Sequence, residues 1–213
     1  MKTSPIMDFS RCCYSRSRST GIASARVQRQ LPKDLQALTI YGYKGSRYPS
    51  WMLSGQQHPD APKHLHSLVL KHCSYPLVSF PEYSELFMNL RELQIGWCAW
   101  DSLPDNMERL VSLQSLNIHG NGRNKMVFLP TLPRSLHKIR LCKWDLEVEN
   151  MEHLGSLESL TIYLCHKMEF LPTLPQSLEK IRIAFCDVLS RTCQEEGHEN
   201  WQKIQHIPCK EFE

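Results

Sequence analysis

One nine-residue phrase constrains this chain more than any other feature: Leu-x-x-Leu-x-Leu, closed three residues later in most copies by Cys or Asn. It begins at Leu35, Leu65, Leu90, Leu113, Leu136, Leu157 and Leu178, with Ile in the second or third apolar slot of some copies. The intervals are 30, 25, 23, 23, 21 and 21 residues. A period this short has room for one strand and a return segment, and is far from the longer helical repeats.

Strand geometry explains the phrase. In the copy from Leu113 to Asn121, Leu116 and Ile118 point one way while Ser115, Asn117 and His119 point the other, which predicts one strand per copy with one apolar face. A lone copy of about 22 residues would lose on the order of 30 kcal/mol of conformational entropy, against roughly 2 kcal/mol for each Leu or Ile it buries. It cannot fold alone, so the copies must stack. The closing slot, held by Cys73, Cys98, Asn121, Cys165 and Cys186, suits a small polar side chain tucked under the turn after each strand. Trp144 breaks that rule and predicts a distorted fifth turn. Together these features read as a leucine-rich-repeat array: an α/β solenoid, horseshoe-shaped, with a concave parallel sheet of about seven strands and an irregular, Pro-rich convex side.

The net charge of +3 is unevenly placed. Residues 1–30 carry Lys2, Arg11, Arg16, Arg18, Arg26 and Arg29 against Asp8 alone, so this segment is +5 and the rest is 3 − 5 = −2. The repeat body therefore lacks a general nucleic-acid footprint. Nine cysteines could suggest a disulfide framework, but the number is odd and four recur at one structural slot, where a buried thiol serves as a small core residue. There is no apolar run after Met1 suited to a signal peptide and no stretch of about 18 apolar residues for a membrane helix. A reduced, soluble protein of the cytoplasm, with the nucleus also open to it, is the expectation.

Residues 1–30, rich in Ser and Arg, read as a disordered basic tail, and their composition also fits an organellar transit peptide. Residues 31–208 read as the repeat domain with its closing cap, and 209–213 as a trailing tail. Leu31-Pro32 copies the Leu-Pro phrase that ends later return segments, which implies a lost preceding repeat and an uncovered first strand. The last four repeats are a doubled pair: residues 128–140 read FLPTLPRSLHKIR and residues 170–182 read FLPTLPQSLEKIR. Closely spaced prolines exclude helices at 129–133 and 171–175, while helical turns are expected near 105–110 and 149–154. Residues 190–203 carry a helical turn in this reading, and 204–208 an extended piece covering the far end.

The phrase LTIYGYKGSRYPSWM from Leu38, the strand-Cys-Leu-Pro order at 90–110 and 157–172, and the ending CQEEGHENWQKIQHIP from Cys193 resemble the repeat region of plant intracellular disease-resistance proteins of the coiled-coil NB-ARC leucine-rich-repeat family. The resemblance covers roughly 31–208. It implies protein recognition in defence: effector sensing, restraint of a signalling switch, or both. The expected partners are a pathogen effector, a guarded host protein or the NB-ARC domain of a full-length receptor, without nucleic acid or membrane. That switch needs a Gly-x-x-x-x-Gly-Lys-Ser/Thr loop, and no such run occurs, so the chain reads as the recognition part alone. The alternatives are a substrate-recognition arm of a ubiquitin ligase, a secreted receptor ectodomain, and a truncated product without independent function.

No catalytic constellation, cofactor motif or metal set is expected. His64 and His66 stand at i and i+2 without a second pair at zinc spacing, and Cys142, on the free face, reads as an exposed thiol without His or Asp partners. The stronger candidate is the concave face, where the pattern displays Tyr41, Lys71, His72, Trp97, His119, Lys138, Arg140, Lys143, Tyr163, Lys180, Arg182 and Phe185. Aromatic and Arg anchors are what partner surfaces favour.

Overall fold

A computed structural model describes residues 6–8, 35–45, 64–74, 85–98, 100, 103–120, 130–143 and 150–213. Nine strands form one sheet, every neighbour parallel and the spatial order following the sequence. They are β1 (Ile6–Asp8), β2 (Ala37–Tyr41), β3 (Ser67–Lys71), β4 (Glu92–Gly96), β5 (Ser115–His119), β6 (Lys138–Cys142), β7 (Ser159–Tyr163), β8 (Lys180–Ala184) and β9 (Cys209–Phe212). The described chain is a parallel-sheet solenoid. Strands β2 to β8 are the seven phrases, paired in the same register throughout: Leu38, Leu68, Leu93, Leu116, Ile139, Leu160 and Ile181 align across the sheet.

The alternation decides which face is core. The second and fourth residue of every strand from β2 to β8 is buried, so each copy contributes two aliphatics from its strand and one from the Leu that opens the phrase. These three columns form one continuous cluster from Leu35 to Ile207. The register leaves no slack, since a one-residue slip would send every Leu to the solvent face.

Two strands lie outside the seven expected. β1 falls in the segment read as a disordered tail; it pairs with β2 through Ile6↔Thr39, Met7↔Ile40 and Asp8↔Tyr41, so the first strand's edge is covered rather than open. Ile6-Met7-Asp8 is too short a run to show periodicity. Leu31-Pro32 and the other residues of the 1–30 tail besides β1 lie outside the described residues. At the far end, residues 209–213 do not trail: β9 extends β8, with Ile181↔Lys210 and Arg182↔Glu211 in register. The extended closing piece thus comes about five residues later than the sequence reading placed it.

The return segments are irregular. A 3₁₀ helix, Met107–Arg109, occupies the expected turn near 105–110, and a short helix α1 (Glu85–Met88) precedes β4. Residues 150–154 form a bridge and turn rather than a helical turn, and Asn150 pairs with Thr173 of the Leu-Pro segment. The doubled phrase repeats its hydrogen bonds: Ser135 Oγ donates to the Leu113 carbonyl at 2.8 Å, and Ser177 Oγ to the Leu157 carbonyl at 2.9 Å. Beyond β8, helices α2 (Asp187–Thr192) and α3 (Glu199–Ile204) cover the end of the core with Leu189, Cys193, Ile204 and Ile207. Asn200, wholly buried, fastens this cap. Its Oδ1 accepts from the Leu171 amide at 2.8 Å, and its Nδ2 donates to the Glu169 carbonyl and to Thr192 Oγ1, each at 2.8 Å.

Candidate recognition face

The face opposite the core is built by the odd positions of each strand and by the residue that follows it. That following residue is left-handed in six copies: Gly42 at φ 68°, His72 at 54°, Trp97 at 51°, Lys143 at 51°, Leu164 at 56° and Phe185 at 54°. In every copy its amide donates to a carbonyl at the end of the next strand, from Gly42 to Lys71 at 2.8 Å, and in the last copy from Phe185 to Glu213, one residue past β9, at 2.9 Å. The thiol of the closing slot closes the same turn from beneath. Cys73 donates to the Lys71 carbonyl at 3.6 Å, Cys98 to Gly96 at 3.4 Å, Cys165 to Tyr163 at 3.4 Å and Cys186 to Ala184 at 3.3 Å. These four thiols are buried, and Tyr43 takes the slot in the first copy, its phenol pushed up by burial. Asn121 and Trp144 lie outside the described residues.

A left-handed non-glycine residue costs about 1–2 kcal/mol. Five copies accept that cost to aim a large side chain along the rim where the strands end. On β2 to β5 the result is an unbroken aromatic rail. Tyr41 and His72 have ring centroids 4.9 Å apart, His72 and Trp97 stack at 5.6 Å with an interplanar angle of 7°, and Trp97 and His119 approach to 4.0 Å. Lys71 Nζ lies 5.8 Å over the Trp97 ring, within cation–π reach. Trp97 is 36% exposed although its ring contacts both His72 and His119. Gly96 occupies the strand position before it, between Lys71 and His119 of the adjacent strands.

The sequence-derived candidates thus divide. Tyr41, Lys71, His72, Trp97 and His119 are brought into one group. Tyr163 and Phe185 form a second, in edge contact at 5.3 Å. Lys138, Arg140 and Lys143 stand exposed between the two groups, with no ion pair among the described residues. Lys180 and Arg182 are engaged by β9: Lys180 Nζ meets Glu211 Oε1 at 2.6 Å, and Arg182 Nη2 meets Glu213 Oε1 at 2.6 Å. The hydrogen bond from Lys180 holds the Glu211 carboxyl below its ordinary range, and the same bond raises the Lys180 ammonium. Glu211 and Glu213 were missed because their segment read as a tail, although its charged alternation was available as a strand signal.

Cys142 needs correction. It ends β6 on the open face yet is only 4% exposed, because it sits between His119 and Tyr163 in adjacent strands; burial pushes its thiol up. Among the described residues no group of three or more His, Cys, Asp or Glu, at His64 and His66 or elsewhere, could hold a metal ion. One depression of 430 Å³, lined by Glu108, Val111, Thr131, Leu132, Pro133, Arg134, Ser135 and His153, lies on the return segments. Among the described residues no helix is long and apolar enough to cross a membrane. No protein-family model, curated protein or solved structure matches the chain.

Proposed function

We propose that the chain is a leucine-rich-repeat recognition domain whose open, concave face binds protein, and that it serves as the recognition part of a plant intracellular immune receptor of the coiled-coil NB-ARC type. The repeat type is supported by the Leu frame, whose apolar slots are all buried, and by the thiol-closed turn recurring at the closing slot. The receptor assignment rests on the resemblance of the phrases from Leu38, Leu90, Leu157 and Cys193.

The observation that carries the binding role is the rail of Tyr41, His72, Trp97 and His119. Aromatic side chains held against one another lose little entropy when a partner arrives, and a clustered, partly exposed Trp is the commonest kind of interface anchor. A bland solubilising face would need none of this and would place Gly or Asn at the left-handed positions. The function follows as effector sensing or restraint of a nucleotide switch through direct contact.

The test is a titration of the purified chain against a purified NB-ARC domain of that receptor family, by calorimetry, with wild type and the pair His72→Ala and Trp97→Ala. The reading expects measurable binding that drops about tenfold or more in the double variant, the range of a hot-spot anchor. Equal binding by both proteins contradicts the role given to the rail.

A further inference from the structure

The second half of the open face carries a trough that the aromatic rail does not use. Its floor is β7, where Ser159 and Thr161 present small hydroxyls; its walls are Lys138 and Arg140 on β6 and Lys180 and Arg182 on β8. The walls stand two strand spacings apart, about 10 Å, and the two cations within each wall are about 7 Å apart along the strand. Such a two-by-two array of cations over hydroxyl donors fits carboxylates at alternate positions of an extended chain, whose like-facing side chains repeat at that same 7 Å. At the exit of the trough Tyr163 and Phe185 form an apolar step. Glu158 and Glu179 stand one residue before β7 and β8, so the positive character is concentrated toward the exit.

The molecule already contains an example of that ligand. Glu211 of β9 and Glu213 just after it, in Glu-x-Glu spacing, meet the outer wall: Glu211 contacts Lys180 at 2.6 Å and Arg182 at 3.9 Å, and Glu213 contacts Arg182 at 2.6 Å. The inner wall of Lys138 and Arg140 has no such occupant among the described residues. We propose that the trough over β7 is a recognition site for an acidic peptide segment with Glu-x-Glu spacing, and that Glu211 and Glu213 act as its intramolecular competitor by occupying the β8 wall. The proposal rests on the reading of the open face as a protein-binding surface and names the chemistry of one partner segment. While β9 holds Lys180 and Arg182, an acidic peptide meets half of the array; neutralising the β9 carboxylates opens the other half.

The test uses the full chain and a fluorescein-labelled peptide bearing one Glu-Tyr-Glu unit, followed by anisotropy at about 50 and about 300 mM NaCl, since a contact of exposed charges weakens with screening. Wild type should bind, more weakly at the higher salt. Glu211→Gln with Glu213→Gln should bind about fivefold tighter, and Lys138→Gln with Arg140→Gln at least fivefold weaker, as expected when complementary charges are released or removed. A matching Gln-Tyr-Gln peptide should not bind. Unchanged or weaker binding by the Glu211/Glu213 variant, with or without a fall in its melting temperature, overturns the competitor role. Undiminished binding by the Lys138/Arg140 variant, or equal binding of the Gln peptide, overturns the site. Trp97→Ala separates the two readings, because it should leave the acidic peptide bound while weakening the NB-ARC contact. If the peptide fails with every protein while that contact stays sensitive to Trp97, the trough proposal falls and the recognition face stands.

Discussion

Lys143 isolates the cost of display at a single residue. It is exposed, left-handed at φ 51°, and outside the aromatic rail, so its backbone strain is not repaid by ring contacts. Lys143→Gly should therefore raise stability by about 0.5–1 kcal/mol, the relief of a left-handed Cβ less the extra entropy of glycine in the unfolded chain. Urea denaturation measures it, and a loss of stability would show that the turn is not strained. Gly120 is the converse. It holds the same turn position without a left-handed φ, and a Cβ there would overlap the Lys143 carbonyl oxygen. Gly120→Ala should cost about 1–3 kcal/mol, as overpacking does. The thiols give a third expectation at this scale. Cys209 is the exposed cysteine among those described, while Cys142, Cys165 and Cys186 are buried. Mass-resolved labelling of the native protein should modify Cys209 before Cys142, Cys165 and Cys186, and early modification of Cys142 would contradict its packing between His119 and Tyr163.

The elements show how far the sequence reaches. Each of the seven Leu phrases became a strand in the same register, because a two-residue period with two obligatory burials per strand admits one solution. The rail was legible as a set of outward residues, but Trp97 and His72 owe their position to a left-handed turn, which no propensity assigns to Trp or His. β1 and β9 were illegible for a different reason: a three- or four-residue edge strand is fixed by the neighbour it pairs with, not by its own pattern. Charge then strengthens β9. The Glu211 carboxyl is depressed in the folded state, so its contribution is present above the ordinary carboxylate value and is lost as pH falls through the depressed one; the Lys180 ammonium is raised, so its contribution persists until alkaline pH. Between about pH 5 and pH 9 the β8–β9 contact should be constant, and below about pH 4 its amides should lose protection before those of β7 and β8. The cap depends on Asn200. Asn200→Leu would leave the Leu171 amide and the Glu169 carbonyl without these partners, while the Thr192 hydroxyl keeps its bond to the Val188 carbonyl, at a cost of about 2–4 kcal/mol in thermal or urea melting. A smaller loss would mean that water reaches the cap.

At the scale of the whole molecule, the solenoid divides its open face into an aromatic half on β2 to β5 and a cationic half on β6 to β8, with β9 supplying acid at the outer edge. Both halves lie on the side where strand side chains alternate outward, and the return segments present no comparable cluster among the described residues. The claim that this face is the recognition surface is tested most directly by hydrogen exchange on the chain with and without the bound NB-ARC domain. The account predicts that the slowed amides are those of the strand ends and turns, at Gly42, His72, Trp97 and Gly120, which already donate across the sheet. Slowing confined to the return segments around 107–113 and 151–157, with the turn amides unchanged, would contradict it.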